Sequence, residues 1–172
     1  MRRLFATAMI PLLLLQACGK DDAGSSDEQR EDLAEPVGSY DIDPVSGEIR
    51  ASHTDAAGVT TTMRAGEEVV PRFPEPFTAY PGAQITNTTR VEQGTGSFVT
   101  VEFVTPDLRE KVVAFYRAQA QQARIEPEIE VSAGETTTLG GENLSRRASF
   151  ALQVTRVDDE TQGQLSVASG FD

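Results

Sequence analysis

The sequence predicts an α+β protein: an antiparallel sheet in the order β-β-α-β-β-β-β with one helix on one face, preceded by a small three-stranded β-meander. Three observations predict it. Apolar and polar residues alternate with period two in several runs between residues 84 and 168. One run, after Thr105-Pro106-Asp107, instead carries an apolar stripe at helical spacing. Short β-branched runs over 37–66 are separated by Asp, Pro and Gly turn residues.

The chain opens on Arg2 and Arg3, an almost wholly apolar run from Leu4 to Leu15, and small Ala17 ahead of the one cysteine, Cys18. That is the layout of a secretory signal peptide over residues 1–17. A spanning helix needs ~20 apolar residues, and this run is shorter and interrupted by Pro11. Leu15-Gln16-Ala17-Cys18 resembles the lipobox of bacterial lipoproteins. The resemblance implies cleavage between Ala17 and Cys18, lipid on Cys18, and a cell-membrane address. A lone thiol in an exported chain has no disulfide partner within the molecule, and acylation accounts for it. Plain secretion is the alternative, because Gln16 is a less usual residue two before the cut. Each buried CH2 contributes ~0.8 kcal/mol, so the three acyl chains typical of the resembled class would hold the protein permanently. Gly19 rather than Asp follows the cysteine, which by analogy with enterobacterial lipoproteins points to the outer membrane, facing the periplasm.

Charge bounds the partners. The chain has a net charge of −12, and loss of Arg2 and Arg3 with the signal lowers it to −14. Such a surface repels nucleic-acid phosphates and anionic head groups, which excludes a nucleic-acid role. With no Trp and 38% hydrophobic residues, the chain supports one modest core. Residues 18–36 read as an acidic flexible tether, with Leu33 the one large apolar side chain after Cys18 and too little to bury. As a coil, residues 19–36 would reach roughly 20–25 Å.

Residues 37–66 read as the meander. Asp43-Pro44-Val45-Ser46-Gly47 suits a type I turn closed by a left-handed glycine, and Asp55-Ala56-Ala57-Gly58 supplies the second turn. Asp41, Asp43, Ser46 and Glu48 also bring hard oxygens together, as calcium loops do. Such loops want glycine at the sixth position, whereas here Gly47 is seventh and Val45 takes a ligand place, so the turn role is preferred. His53, the one histidine, has no second histidine or cysteine to form a metal set and reads as an exposed strand residue.

Residues 67–83 carry Pro71, Pro74, Pro76 and Pro81, which remove backbone donors and fix φ. They read as an extended strap anchored by Val69, Val70, Phe73, Phe77 and Tyr80.

Residues 84–172 form the α+β domain. Ile85, Asn87, Thr89 and Val91 are expected on one face of a strand, and Gly94-Thr95-Gly96 turns into a second strand with Val99, Val101 and Phe103 inward. Thr105 reads as helix cap, Pro106 as first-turn residue and Asp107 as the acid at the positive dipole end. The helix should run to about Ala123 with Leu108, Val112, Phe115, Tyr116, Ala120 and Ala123 as its stripe. Ile125, Pro127, Ile129 and Val131 alternate with Glu126, Glu128 and Glu130, predicting a strand with those acids in water. Thr136 to Leu139 reads as a short strand broken by Gly140-Gly141. Phe150, Leu152 and Val154 then point inward, and Gln164 to Ala168 closes the sheet.

The hairpin around Asp43, the Thr62-Met63-Arg64 strand end, Tyr80-Pro81-Gly82-Ala83, the Thr105 helix start with Val112 to Arg117, and Gly140-Gly141 occur in an order that resembles a group of small bacterial lipoproteins with no assigned activity. The resemblance implies a fold and an address and carries no catalytic residue over. The residues themselves assemble no nucleophile set: Cys18 is committed to lipid, His53 lacks an accompanying Gly-x-Ser-x-Gly elbow, and Gly140-Gly141 has no following lysine and helix to cradle phosphate. No catalytic residue, cofactor or metal is predicted. Arg146-Arg147 reads as a turn or a contact for an acidic partner. The expected function is a non-enzymatic, membrane-tethered periplasmic binding or scaffold module that meets an envelope protein or polymer on a sheet face or edge. The alternatives are an apolar-ligand binder with a pocket lined by Phe73, Phe77 and Tyr80, and a carboxylate-dependent hydrolase.

Overall fold

The computed structural model describes residues 38–171, which lie within one compact unit, Ala34–Asp172. The signal, the tether, Ala17 and Cys18 fall outside the described residues. The strands are β1 (Gly38–Ile42), β2 (Ile49–Thr54), β3 (Thr60–Gly66), β4 (Gln84–Gln93) and β5 (Gly96–Thr105), followed by helix α1 (Arg109–Gln122). Strands β6 (Ile129–Ala133), β7 (Thr136–Asn143), β8 (Ala148–Val157) and β9 (Glu160–Ser169) complete the chain. Among the described residues the nine strands make one sheet, ordered β1-β2-β3-β4-β5-β9-β8-β7-β6, with every neighbouring pair antiparallel. The α+β class and the β-β-α-β-β-β-β order are as the alternation and the helical stripe predict.

The three meander strands are the outer third of this same sheet. Strand β3 pairs with β4 from Thr61↔Gln93 to Gly66↔Thr88, so β4 is paired on both sides from Thr88 to Gln93, as a central strand requires. The two hairpin turns form as expected. Asp43 Oδ1 accepts from the Val45 and Ser46 amides at 2.9 and 3.0 Å, and Gly47 takes φ 71°, a conformation that glycine adopts without a Cβ penalty.

The core lies between one face of β5, β9, β8 and β7 and a lid made of α1 and the strap. Val99, Val101, Phe103, Leu139, Phe150, Leu152, Val154, Leu165 and Val167 face Val112, Tyr116 and Ala120 of the helix, with Ile125 just beyond it. The strap supplies Phe77 and Tyr80. The Phe77 ring centroid is 5.6 Å from Phe150, and Tyr80 packs on Phe103, Phe115 and Tyr116 at 5.2 to 6.3 Å. The strap is fastened to the helix by Gln119, which accepts from the Thr78 amide at 3.2 Å and donates to the Thr78 hydroxyl at 2.9 Å. Gly163 lies opposite Phe103, whose ring fills the space that a Cβ would need.

The structure corrects several placements. A bulge between Ile85 and Asn87 reverses the alternation of β4, so Ile85 packs on the core while Asn87, Thr89 and Val91 face the other way. The helix begins at Arg109, not at Thr105. The Thr105 hydroxyl accepts from the Asp107 amide, but the Pro106 and Asp107 carbonyls accept from Arg156, and that of Asp107 also from the Thr161 hydroxyl. Neither carbonyl is thereby left to start the helical ladder. Leu108, 54% exposed, and the strap's Val70, 67% exposed, leave the expected apolar sets, while Val113 joins the helix's buried side.

In β6 the expected faces are exchanged. Glu130 lies opposite Leu139 on the helix side, where it accepts from Arg117 at 2.5 Å, and Ile129 and Val131 are 55% and 57% exposed on the other. Gly140 and Gly141 do not break β7, which runs on to Asn143. A Cβ on Gly141 would lie 2.4 Å from the Glu126 carbonyl oxygen, so the glycine lets the segment after the helix cross the strand closely.

Candidate functional site

The helix and strap occupy one face of the sheet, and among the described residues no element covers the other. Residues directly opposite in an antiparallel ladder share a face, so register reads that surface strand by strand. Across its middle run Asn87, Glu102, Gln164, Gln153 and Thr138 in one row, and Thr89, Thr100, Ser166 and Ala151 in the next. Thr100 and Ser166 hydroxyls bond at 2.9 Å, Gln164 donates to Glu102 at 3.4 Å, and Thr136 and Thr155 bond at 2.9 Å. A shallow hollow of about 300 Å³ opens here, its polar rim formed by Thr86, Glu102, Gln153, Thr155, Gln162 and Gln164 and the rest of its lining by Phe103, Val104 and Gly163. Its polar groups are amides and hydroxyls with one carboxylate, donors and acceptors that recognise polar chains.

The remaining predicted residues are scattered. Asp41, Asp43 and Glu48 are drawn into separate contacts. Asp41 lies opposite Arg50. Asp43 is turned into its own hairpin, where the Ser46 and Val45 amides hold its carboxyl below the ordinary range. Glu48 accepts from Arg64 Nε at 2.5 Å and from Arg50 Nε and Nη2 at 3.1 and 2.9 Å. The Arg64 hydrogen bond, then that of Arg50, holds the Glu48 carboxyl down at about 2. Among the described residues no three of His, Cys, Asp and Glu gather in a metal-holding geometry. His53 is exposed on β2. Arg146 and Arg147 belong to a short 3-10 turn, Leu144–Arg146, capped by Asn143 Oδ1, with Arg147 left-handed at φ 49°. Phe77 and Tyr80 are seated in the core, with Phe73 packed against it.

Two polar clusters were not predicted. Arg50, Arg64 and Arg90 stand opposite one another across β2, β3 and β4 on the helix side. Like charges in that relation repel; Glu48 bridges the first two, and Glu92 pairs with the third. The second cluster is Tyr80, whose hydroxyl donates to Asp107 at 2.8 Å, with Lys111 on the other carboxylate oxygen at 3.1 Å. Burial, reinforced by the Asp107 acceptor, pushes the Tyr80 hydroxyl up to about 12. The Tyr80 and Lys111 hydrogen bonds lower Asp107. Both clusters join residues far apart in sequence, which spacing alone does not reveal.

No family matches the chain, and no curated protein and no solved structure does so either.

Proposed function

We propose that this chain is a cell-envelope lipoprotein, held through lipid on Cys18, whose folded part is a non-enzymatic binding or scaffold module. The observation that carries the reading is the division of the sheet. One face is filled by helix and strap, and the other, among the described residues, is left bare with a strip of amides and hydroxyls. A flat strip with a shallow hollow suits an extended partner rich in hydrogen-bonding groups, an envelope polymer or a protein segment. The signal-like start and the lipobox resemblance support the membrane address, and Gly19 after the cysteine supports the outer membrane, facing the periplasm. The apolar-ligand alternative is less favoured, because Phe77 and Tyr80 spend their surface on the core.

A photo-crosslinking amino acid placed at Gln164, on the bare face, and at Ala118, on the exposed side of the helix, tests the reading in intact cells. A product from the first position alone is the expected result. Equal yields from both would overturn the assignment of the face. Mass spectrometry of the native N-terminus tests the anchor, and an unmodified Cys18 would end it.

A further inference from the structure

The β1 end of the bare face differs in chemistry from its middle. In one row Tyr40, Ala51, Met63, Val91, Phe98 and Ala168 stand opposite one another, and in a parallel row Ile42, Ile49 and Ala65 do so. The other β1 to β4 residues on this side include Gly38, His53, Thr61 and Gln93, so these strands bring no Asp, Glu, Lys or Arg to it. In a chain with 27 acids, the charges of the same strands go to the opposite side: Asp41, Arg50, Arg64, Arg90 and Glu92. Polarity is thus inverted relative to the body of the sheet, where the apolar side is the one under the helix. Tyr40 and Ile42 are 64% and 51% exposed.

We infer that this uncharged apolar face is a lipid-contact surface that lies on the bilayer carrying the anchor. The inference rests on the lipid-anchored reading of Cys18. Gly38, where the described chain begins, lies on β1, the outermost strand of this face. Residues 19–37 fix its greatest distance from Cys18 at ~65 Å, and a coil of that length would hold it far nearer. A flexible linker of that length would supply an effective concentration in the ~millimolar range, at which a weak contact suffices. The six strands of the longer row, at ~4.8 Å spacing and about five residues of length, give a patch on the order of 500 Å². Doubled, that falls short of the ~1,200–2,000 Å² of a stable protein interface, which favours a lipid surface over a second copy of the chain. The strongly acidic body is repelled by anionic lipid, but this face presents no acid from β1 to β4.

The sequence has no tryptophan, so Tyr40→Trp gives a single reporter on the face and Ala118→Trp a control on the helix. Each variant, as the chain from residue 18 onward, which keeps the compact unit Ala34–Asp172 whole, is coupled through Cys18 to a maleimide lipid in phosphatidylcholine vesicles. The expected result is blue-shifted emission quenched by brominated phosphatidylcholine for Tyr40→Trp and not for Ala118→Trp. Adding Met63→Asp to the first variant should abolish the quenching while circular dichroism stays unchanged. Absent quenching, or equal quenching of both reporters, overturns the inference. So does a blue shift that appears without lipid and vanishes on dilution, which would assign the face to a second copy. Because the maleimide supplies the anchor, a bare Cys18 in native material would defeat the anchored reading without altering this result.

Discussion

Glu48 sits between two arginines that register would otherwise set side by side, and its stabilising effect depends on its charge. Its carboxyl is held at about 2 against an ordinary 4.5. As pH falls through 4.5 the unfolded chain takes up a proton there that the folded chain refuses until about 2, so the contribution is whole above that window and lost as pH falls through it. The expected outcome is a thermal midpoint that drops between these limits. Glu48→Gln should lower the midpoint at neutral pH and flatten the acid drop; an equally steep drop in the variant would show that other carboxylates carry it. The sequence makes the Asp43 turn legible, because its partners are two and three residues away. It hides the Glu48 clamp, because Arg64 lies sixteen residues on and reaches Glu48 only through the β2–β3 register.

The end of α1 shows the same contrast between local and distant causes. The Ile125 amide bonds back to the Ala120 carbonyl at 2.9 Å and the Arg124 amide to Gln121 at 3.0 Å, a Schellman pattern whose left-handed position is Arg124 at φ 59°. A residue with a Cβ costs ~1–2 kcal/mol there relative to glycine, and the Arg124 side chain is exposed. Arg124→Gly is therefore expected to raise the unfolding free energy by about 1 kcal/mol in urea titration. A loss would mean that the arginine side chain is a net stabiliser. The helix stop near Ala123 was readable from the end of the apolar stripe. The start was not, because Arg156, from β8, ties up the Pro106 and Asp107 carbonyls. Strand β6 is hard to place for a related reason: alternation fixes two faces but not which is covered, and the register that sets Glu130 opposite Leu139 comes from pairing with β7. The bare face is legible as the consequence of one helix on a wide sheet, whereas its amide strip and apolar end emerge only once eight strands are placed in register.

Across the whole molecule, cohesion is unevenly distributed. The core cluster draws its residues from β5, β7, β8, β9, the helix, the strap and Ile125, and none from β1, β2 or β3. Those three strands are held by ladder hydrogen bonds, the Glu48 clamp and side-chain pairs such as Thr54 with Thr60 at 2.9 Å. A two-stranded hairpin without a packed face is marginal in water, so the outer strands should open locally well below the global unfolding free energy. Native-state hydrogen exchange is expected to separate the two regimes. Paired amides of β1 and β2 should exchange by local opening that barely depends on denaturant, while those of Val99, Leu152 and Leu165 should exchange only by global unfolding. Protection of the β2 amides equal to that of Leu165 would show that one cooperative unit extends to the edge. If the outer strands do meet a bilayer, tethering the protein to vesicles should slow their exchange selectively, because a contact that binds only the closed wing stabilises it by mass action and leaves the core amides unchanged.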